Sequence, residues 1–233
     1  MKNYPIVISG ASGGIGRATV ERLHADGWSV LGLDRSSPVN SSRFLDFYEV
    51  DLTNTSAVSL ICEKIIRTHP KLWALIHCAG IYPIKPFLEY SLELWDEVHA
   101  VNVRSAFQMA KHLSNAIVDG GRIVLVASGA AHLGSHDVGY SASKAGLIGL
   151  MKGLALNFAS RGILVNSVCP GPIDTPMSRR MSADSVSNYK ERIPLGRFGS
   201  PNEVAVVIEF LIAPENAYVN GATIDVTGGF YMR

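Results

Sequence analysis

Short apolar runs recur along the chain, each followed by a polar turn and then by a longer amphipathic stretch. The runs fall at residues 6–9, 29–33, 47–50, 73–77, 122–127, 164–168 and 222–226. Most are continuously apolar rather than alternating, which is the pattern of strands buried on both faces. Between them the 3.6-residue period predicts helices near 15–25, 54–68, 92–118, 140–160 and 201–212. Strands alternating with helices imply right-handed βαβ units and a parallel sheet covered on both sides. Gly27 closes the first helix, Ser91 opens the third, and Gly120-Gly121 is expected to stop it. Ser200-Pro201 with Glu203 reads as a capping box opening the last one. The stretch 172–199 fits neither period. A connection of that length is more often functional than plain, so 174–199 is expected to form a substrate lid.

Composition narrows the picture. A chain of 233 residues with 47% hydrophobic residues can bury a full core as a single domain spanning 1–233. Twenty-one Lys and Arg against 20 Asp and Glu leave a net charge of +1, so no global field draws in nucleic acid or an acidic membrane. Neither is expected as a partner. No run reaches the ~18 apolar residues of a membrane span. The four-residue run after Met1-Lys2-Asn3-Tyr4-Pro5 is too short for the apolar part of a signal peptide. Cys62, Cys78 and Cys169 lie far apart with no CxxC pair, which suits free thiols in the cytoplasm and gives no ligand set for a metal.

Between the first run and the first helix stands Ser9-Gly10-Ala11-Ser12-Gly13-Gly14-Ile15-Gly16. Glycines there let the backbone turn tightly and approach a pyrophosphate, whose charge meets the helix N-terminus. The spacing of Gly10, Gly14 and Gly16 is GxxxGxG rather than GxGxxG. Asp34 ends the second run, where a carboxylate accepts hydrogen bonds from an adenosine ribose. The same letters satisfy GxSxG, the nucleophile elbow of serine hydrolases, with Ser12 as nucleophile. That reading lacks an earlier strand for the oxyanion loop and leaves Asp34 without a role.

Farther along, Tyr140-Ser141-Ala142-Ser143-Lys144 opens a helix, and residues four apart share a face. A cation one turn from a phenol favours the phenolate, so Lys144 is expected to lower the pKa of Tyr140. The pair could pass a proton to or from a substrate oxygen. Leu147 and Met151 continue that face, while Ala142, Gly146, Gly149 and Gly153 line the opposite one. Each Gly costs roughly 1 kcal/mol of helix propensity against Ala. The small side is therefore expected to pack closely on another backbone, in this subunit or in a neighbour.

In this order the pieces resemble the short-chain dehydrogenase/reductase family over nearly the whole chain. They are residues 9–16, Asp51-Leu52-Thr53, Ala79-Gly80, Trp95-Asp96 ahead of Val101-Asn102-Val103, Ser128, residues 140–144, the stretch from Asn166 to Thr175, and Thr227-Gly228-Gly229. One departure is His77-Cys78 where the family usually has two asparagines.

The resemblance implies a doubly wound Rossmann fold with a seven-stranded parallel sheet. It implies reversible hydride transfer between a nicotinamide cofactor and a secondary alcohol or ketone. Tyr140 would be the general acid/base. Lys144 would lower its pKa and hold the nicotinamide ribose, Ser128 would bond the substrate oxygen, and Asn102 would anchor a water linking Lys144 to solvent. Gly10, Ser12, Gly14, Ile15 and Gly16 would cradle the pyrophosphate. Asp34 would take the adenosine ribose, Asp51 and Leu52 would lie near the adenine, and Ala79 and Gly80 would border the cofactor. Ile173 and Thr175 would meet the nicotinamide amide. Tyr82 and His132 are substrate-contact candidates, with Pro83, Met177 and Met181 around a pocket expected to carry little fixed charge. A carboxylate at Asp34 favours NAD over NADP, because a 2′-phosphate would face a second anion; Arg35 and Arg17 are the cations that could offset it. Family resemblance also implies a homotetramer. A catalytically silent dinucleotide-sensing or scaffold protein is the alternative, and an intact Ser128, Asn102, Tyr140, Lys144 set argues against it. 3-Oxoacyl-carrier-protein reductases and oxidisers of sugars, cyclic diols or steroids all look similar, so the substrate stays open.

Overall fold

The computed structural model describes residues 1–233. Seven parallel strands form one sheet: β1 (Ile6–Ser9), β2 (Val30–Asp34), β3 (Asp46–Glu49), β4 (Leu72–His77), β5 (Ile117–Val126), β6 (Leu164–Pro170) and β7 (Thr223–Val226), in the order β3-β2-β1-β4-β5-β6-β7. The helices are α1 (Gly14–Ala25), α2 (Thr55–Thr68), α3 (Leu92–His99), α4 (Ser105–Leu113), α5 (Ala130–Leu133), α6 (Val138–Phe158), α7 (Ala183–Arg192) and α8 (Pro201–Ile212). β1, β4 and the inner part of β5 are fully buried, as continuous apolar runs require.

Both faces of the sheet carry a core. On one, Val58, Met109, Leu113, Leu147 and Met151 bring α2, α4 and α6 onto Leu31, Leu75 and Leu125. On the other, Val20, Leu23, Val204 and Ile208 bring α1 and α8 onto Ile6, Ile8 and Val124. There Trp28 and Trp73 stack with centroids 6.0 Å apart, and the Trp73 indole donates to the Ile212 carbonyl at 2.9 Å.

Two segments depart from the expected elements. The helix anticipated over 92–118 is interrupted by a π turn at Ala100–Arg104 and ends at Leu113. Residues just beyond turn out to pair with β4, the Leu72 amide donating to the Ala116 carbonyl at 2.8 Å, so Gly120-Gly121 lies within β5. Sheet pairing outbids helical periodicity here. The unassigned stretch 172–199 contains a 3-10 turn at Ser178–Arg180 and α7, and its base is closed by a bridge between Ile173 and Gly199.

Candidate active site

The chain leaves β1 toward β2 and leaves β4 toward β5, on opposite sides, so a crevice opens at the C-terminal ends of these two neighbours. Residues 10–16 fill its floor. Asp34 at the end of β2 ties them down, its carboxylate accepting from the Ser12 amide at 3.0 Å and the Ser36 amide at 3.3 Å. The Ser12 hydroxyl donates to the Ser36 carbonyl at 2.9 Å, and no histidine bonds it. The nucleophile elbow therefore lacks its base.

Gly13 caps α1 without a side-chain bond, and no acid stands in the first turn, so the positive end of the helix is open to an anion. A Cβ on Gly14 would stand 2.6 Å from the Thr175 methyl. The loop thus meets the segment after β6 so closely that only backbone fits, as a phosphate cradle requires. These observations fit a dinucleotide. Asp51 accepts from the amide and hydroxyl of Thr53, both at 2.8 Å, and Asn54 rather than Asp51 caps α2. Leu52 and Ala79 are buried beneath the crevice edge, and Ile15, Gly80, Ile173 and Thr175 line the cavity beside it.

The proton-handling groups come from β5, the π turn and α6. Asp137 caps α6 by accepting from the Tyr140 amide at 2.9 Å. The same buried carboxylate accepts from the Tyr90 hydroxyl at 2.9 Å and the Lys85 amide at 3.1 Å, so it ties the loop after β4 to the helix that carries Tyr140. Sequence reading missed Asp137; its only local signal is an Asp three residues ahead of the YxxxK pair. Lys144 is buried and donates to the Val126 carbonyl at 2.8 Å, with its ammonium 5.7 Å from the Tyr140 ring centroid. Ser128, just past β5, accepts from the Ala130 amide at 3.2 Å and lines the same cavity as Tyr140.

The expected pKa lowering at Tyr140 is not what this environment gives. Burial pushes the phenol up to about 12, against a smaller opposing effect from the Ser128 hydroxyl. The Lys144 ammonium is spent on a backbone carbonyl, and burial brings it down to about 8. At pH 7 the phenol holds its proton and the lysine holds its charge.

Asn102 sits inside the π turn, fully buried. It accepts from the Ile81 amide at 2.8 Å and donates to the Ile81 carbonyl at 3.1 Å and the Ser143 hydroxyl at 2.9 Å. Gly80 packs closely beside it: a Cβ there would lie 3.1 Å from the Lys144 nitrogen and 3.4 Å from the Asn102 oxygen and would crowd both. His77 lies beneath, fully buried, with Nδ1 paired to the Ser9 hydroxyl at 2.7 Å and Nε2 without a hydrogen-bond partner. Burial, helped by the Lys144 charge, brings its pKa down to about 3.

Ser128, Tyr140 and Lys144 open onto a cavity of about 620 Å³. Tyr82 lines it and packs on Tyr140 with centroids 4.5 Å apart. Met177, Met181, Tyr189 and Phe198 form its outer wall, joined by Phe230. His132 and Pro83 are not among the lining residues. The exposed His132 ring instead packs near Tyr231, centroids 5.9 Å apart, and sits 3.7 Å from the Cys169 sulfur. His136, from the loop between α5 and α6, and Arg192, from the 172–199 segment, do line the cavity, and the sequence held no local signal for either, because the wall forms only when these distant segments meet. Arg192 also corrects the expectation of little fixed charge.

Comparison with known proteins places this geometry. The sequence family described as enoyl-(acyl carrier protein) reductase matches residues 10–231. The chain is 35% identical to the 3-oxoacyl-acyl-carrier-protein reductase FabG of Escherichia coli, covering 97% of this chain and 96% of that protein. It is 36% identical to the protein of that name in Aquifex aeolicus at the same coverage. Among solved structures, a short-chain dehydrogenase/reductase of the glucose/ribitol dehydrogenase type from Brucella melitensis aligns with a TM-score of 0.92 at 31% identity, over 99% of this chain and 98% of that one. The ligand-free aldohexose dehydrogenase of Thermoplasma acidophilum aligns at 0.90 and 29%, over 99% and 95%. With its parallel sheet, glycine-floored crevice and Ser128–Tyr140–Lys144 cluster, the chain belongs to the short-chain dehydrogenase/reductase family, oxidoreductases that move a hydride between a nicotinamide cofactor and a ketone or alcohol.

Proposed function

We propose that Tyr140 is the general acid/base of a ketone reduction run reversibly, with NAD(H) as the preferred cofactor. The observation that carries this is the convergence of Ser128, Tyr140 and Lys144 on one wall of a cavity that begins at the glycine loop. A bound nicotinamide supplies and accepts the hydride. This chain's residues do the rest. Tyr140, protonated at pH 7, gives its proton to the oxygen of a reduced carbonyl, and the Ser128 hydroxyl orients that oxygen. Lys144 places a positive charge near the phenolate that forms, and Asn102 fixes the loop at Ile81 against α6 through Ser143. Gly10, Ser12, Gly14, Ile15 and Gly16 would hold the pyrophosphate, with Ile173 and Thr175 at the nicotinamide end. The 174–199 segment serves as the substrate lid, and three free thiols suit a cytoplasmic protein.

Asp34 supports the choice of NAD. Its carboxylate is anchored by two amides at the end of β2, where an adenosine ribose would arrive, and it cannot turn away without breaking the loop contact. Arg35 is exposed without an ion pair, and its charge is felt at Asp51. Two unit charges 4 Å apart at an effective dielectric of about 20 repel by roughly 4 kcal/mol. Even about 2.7 kcal/mol surviving would make NADP a hundredfold poorer. Comparing kcat/KM for NAD and NADP in wild type and Asp34→Ala tests this. NAD preference that collapses in the variant is expected; a wild-type preference for NADP would refute the assignment.

The chain is also proposed to assemble as a homotetramer. Ala142, Gly146 and Gly149 are exposed on α6 with Leu156 beside them, and Phe107 is exposed on α4. Nothing in the same subunit lies within 4 Å of a Cβ built on Gly149 or Gly153, so the small-residue side awaits a neighbour rather than an internal partner.

A further inference from the structure

The cavity wall holds aromatic and thioether side chains, Lys144 at its catalytic end and Arg192 at the outer end of α7, and no Asp or Glu lines it anywhere. Most cations of the 172–199 segment are already paired. Arg179 bonds Asp174 at 3.0 Å, Arg197 clasps Glu203 at 2.7 and 2.9 Å, and Arg180 reaches the Tyr82 carbonyl at 3.3 Å. Arg192 makes no ion pair and no hydrogen bond. Its guanidinium lies over the Phe230 ring, 4.9 Å from the centroid. Contact with that ring restrains the side chain while leaving its N–H groups free to take an oxyanion in two parallel bonds. A cation that lines a ligand cavity, is held by an aromatic ring and lacks any carboxylate is poorly explained by stability alone, since cation–π contacts at exposed sites contribute little.

Resting on the reading of this cavity as the substrate site, we infer that Arg192 is a specificity-determining residue, and that the substrate is a ketone or secondary alcohol carrying an anionic group, a carboxylate or a phosphate monoester, at the end remote from the reacting carbon. The apolar wall of Met177, Met181 and Phe198 takes the part between. The ketone end meets Tyr140 and Ser128; the oxyanion end meets Arg192. A neutral substrate of the same shape loses the outer bond and keeps the rest, so discrimination appears mainly in KM.

The test uses the full-length protein with three probe pairs: 4-oxo-4-phenylbutanoate and its methyl ester, 5-oxohexanoate and its methyl ester, and dihydroxyacetone phosphate and dihydroxyacetone. Reduction is followed with each nicotinamide cofactor, and binding of each member is measured calorimetrically with cofactor present, which needs no turnover. At least one anionic member is expected to exceed its neutral partner by tenfold or more in kcat/KM or in affinity. That preference should fade as ionic strength rises. It should fall below threefold in Arg192→Gln and reverse in Arg192→Glu, with the anionic member losing far more than the neutral one in both variants. The pair that responds separates carboxylate from phosphate. A purely structural Arg192 would instead depress both members of a pair together. Equal handling of both members in wild type, or an anion preference that survives in Arg192→Gln, would overturn the inference. No turnover of any probe, with anion-selective and Arg192-dependent binding intact, would count against the oxidoreductase reading and leave the anion site standing.

Discussion

The Ser9–His77 pair shows how one side chain can write a pH dependence into the fold. His77 is held neutral, near a pKa of about 3, while an unfolded histidine titrates near 6.5. Below pH 6.5 the unfolded chain therefore binds a proton that the folded chain refuses, and stability falls as pH drops from 6.5 toward 3. At pH 5 that difference is about 2 kcal/mol. Urea denaturation of wild type and His77→Asn at pH 7.5 and pH 5 should show wild type losing about 2 kcal/mol more than the variant between the two conditions. Equal losses would mean that the imidazole is not held neutral. At this scale the glycine loop and the Tyr140–Lys144 pair could be picked out by spacing, and Ser128 entered only through the family resemblance. Asp137 and Arg192 were not legible, and neither was the protonation of Tyr140. Those depend on which groups from distant segments close around them, and the Lys144 charge turned out to be committed to Val126.

Elements set by local chemistry followed the sequence closely. β1, α2 and α8 lie within a residue or so of expectation, and the Ser200–Glu203 capping box forms in full, with Ser200 accepting from the Glu203 amide at 3.3 Å and the Glu203 carboxylate accepting from the Ser200 amide at 2.7 Å. Removing that cap with Ser200→Ala should cost about 1 kcal/mol, read as a lower urea midpoint at unchanged slope. No change in midpoint would show that Arg197 and Pro201 hold the helix start without it. The 92–118 region misled because its apolar period runs on through a π turn and then into a strand. The π turn offsets the helix by one residue, and this places Asn102 against Ile81 and Ser143. A local distortion of this kind is where a regular period is least able to report the backbone.

For the whole molecule, the sheet order was accessible only as a class. Parallel strands with right-handed crossovers follow from alternation, whereas the adjacency of β1 and β4, which opens the crevice, is a long-range outcome. The exposed apolar and small residues of α4 and α6 make a monomer costly at the surface, with Leu156 82% exposed. Light scattering at micromolar concentration should return about four times the 25.1 kDa chain mass, and Leu156→Glu should lower it; a monomer in wild type would refute assembly.

In the proposed mechanism a cofactor site and a proton-transfer site are joined through one phenol. Tyr140→Phe deletes only the hydroxyl of a residue whose ring stays packed on Tyr82. The decisive measurement is paired: NADH binding by fluorescence titration, and reduction of the responding ketone, in wild type and Tyr140→Phe. Cofactor affinity should stay within about twofold of wild type, with turnover reduced by the factor of roughly 10² to 10⁴ that a positioned acid/base contributes. Ketone reduction in Tyr140→Phe close to the wild-type rate would contradict that mechanism.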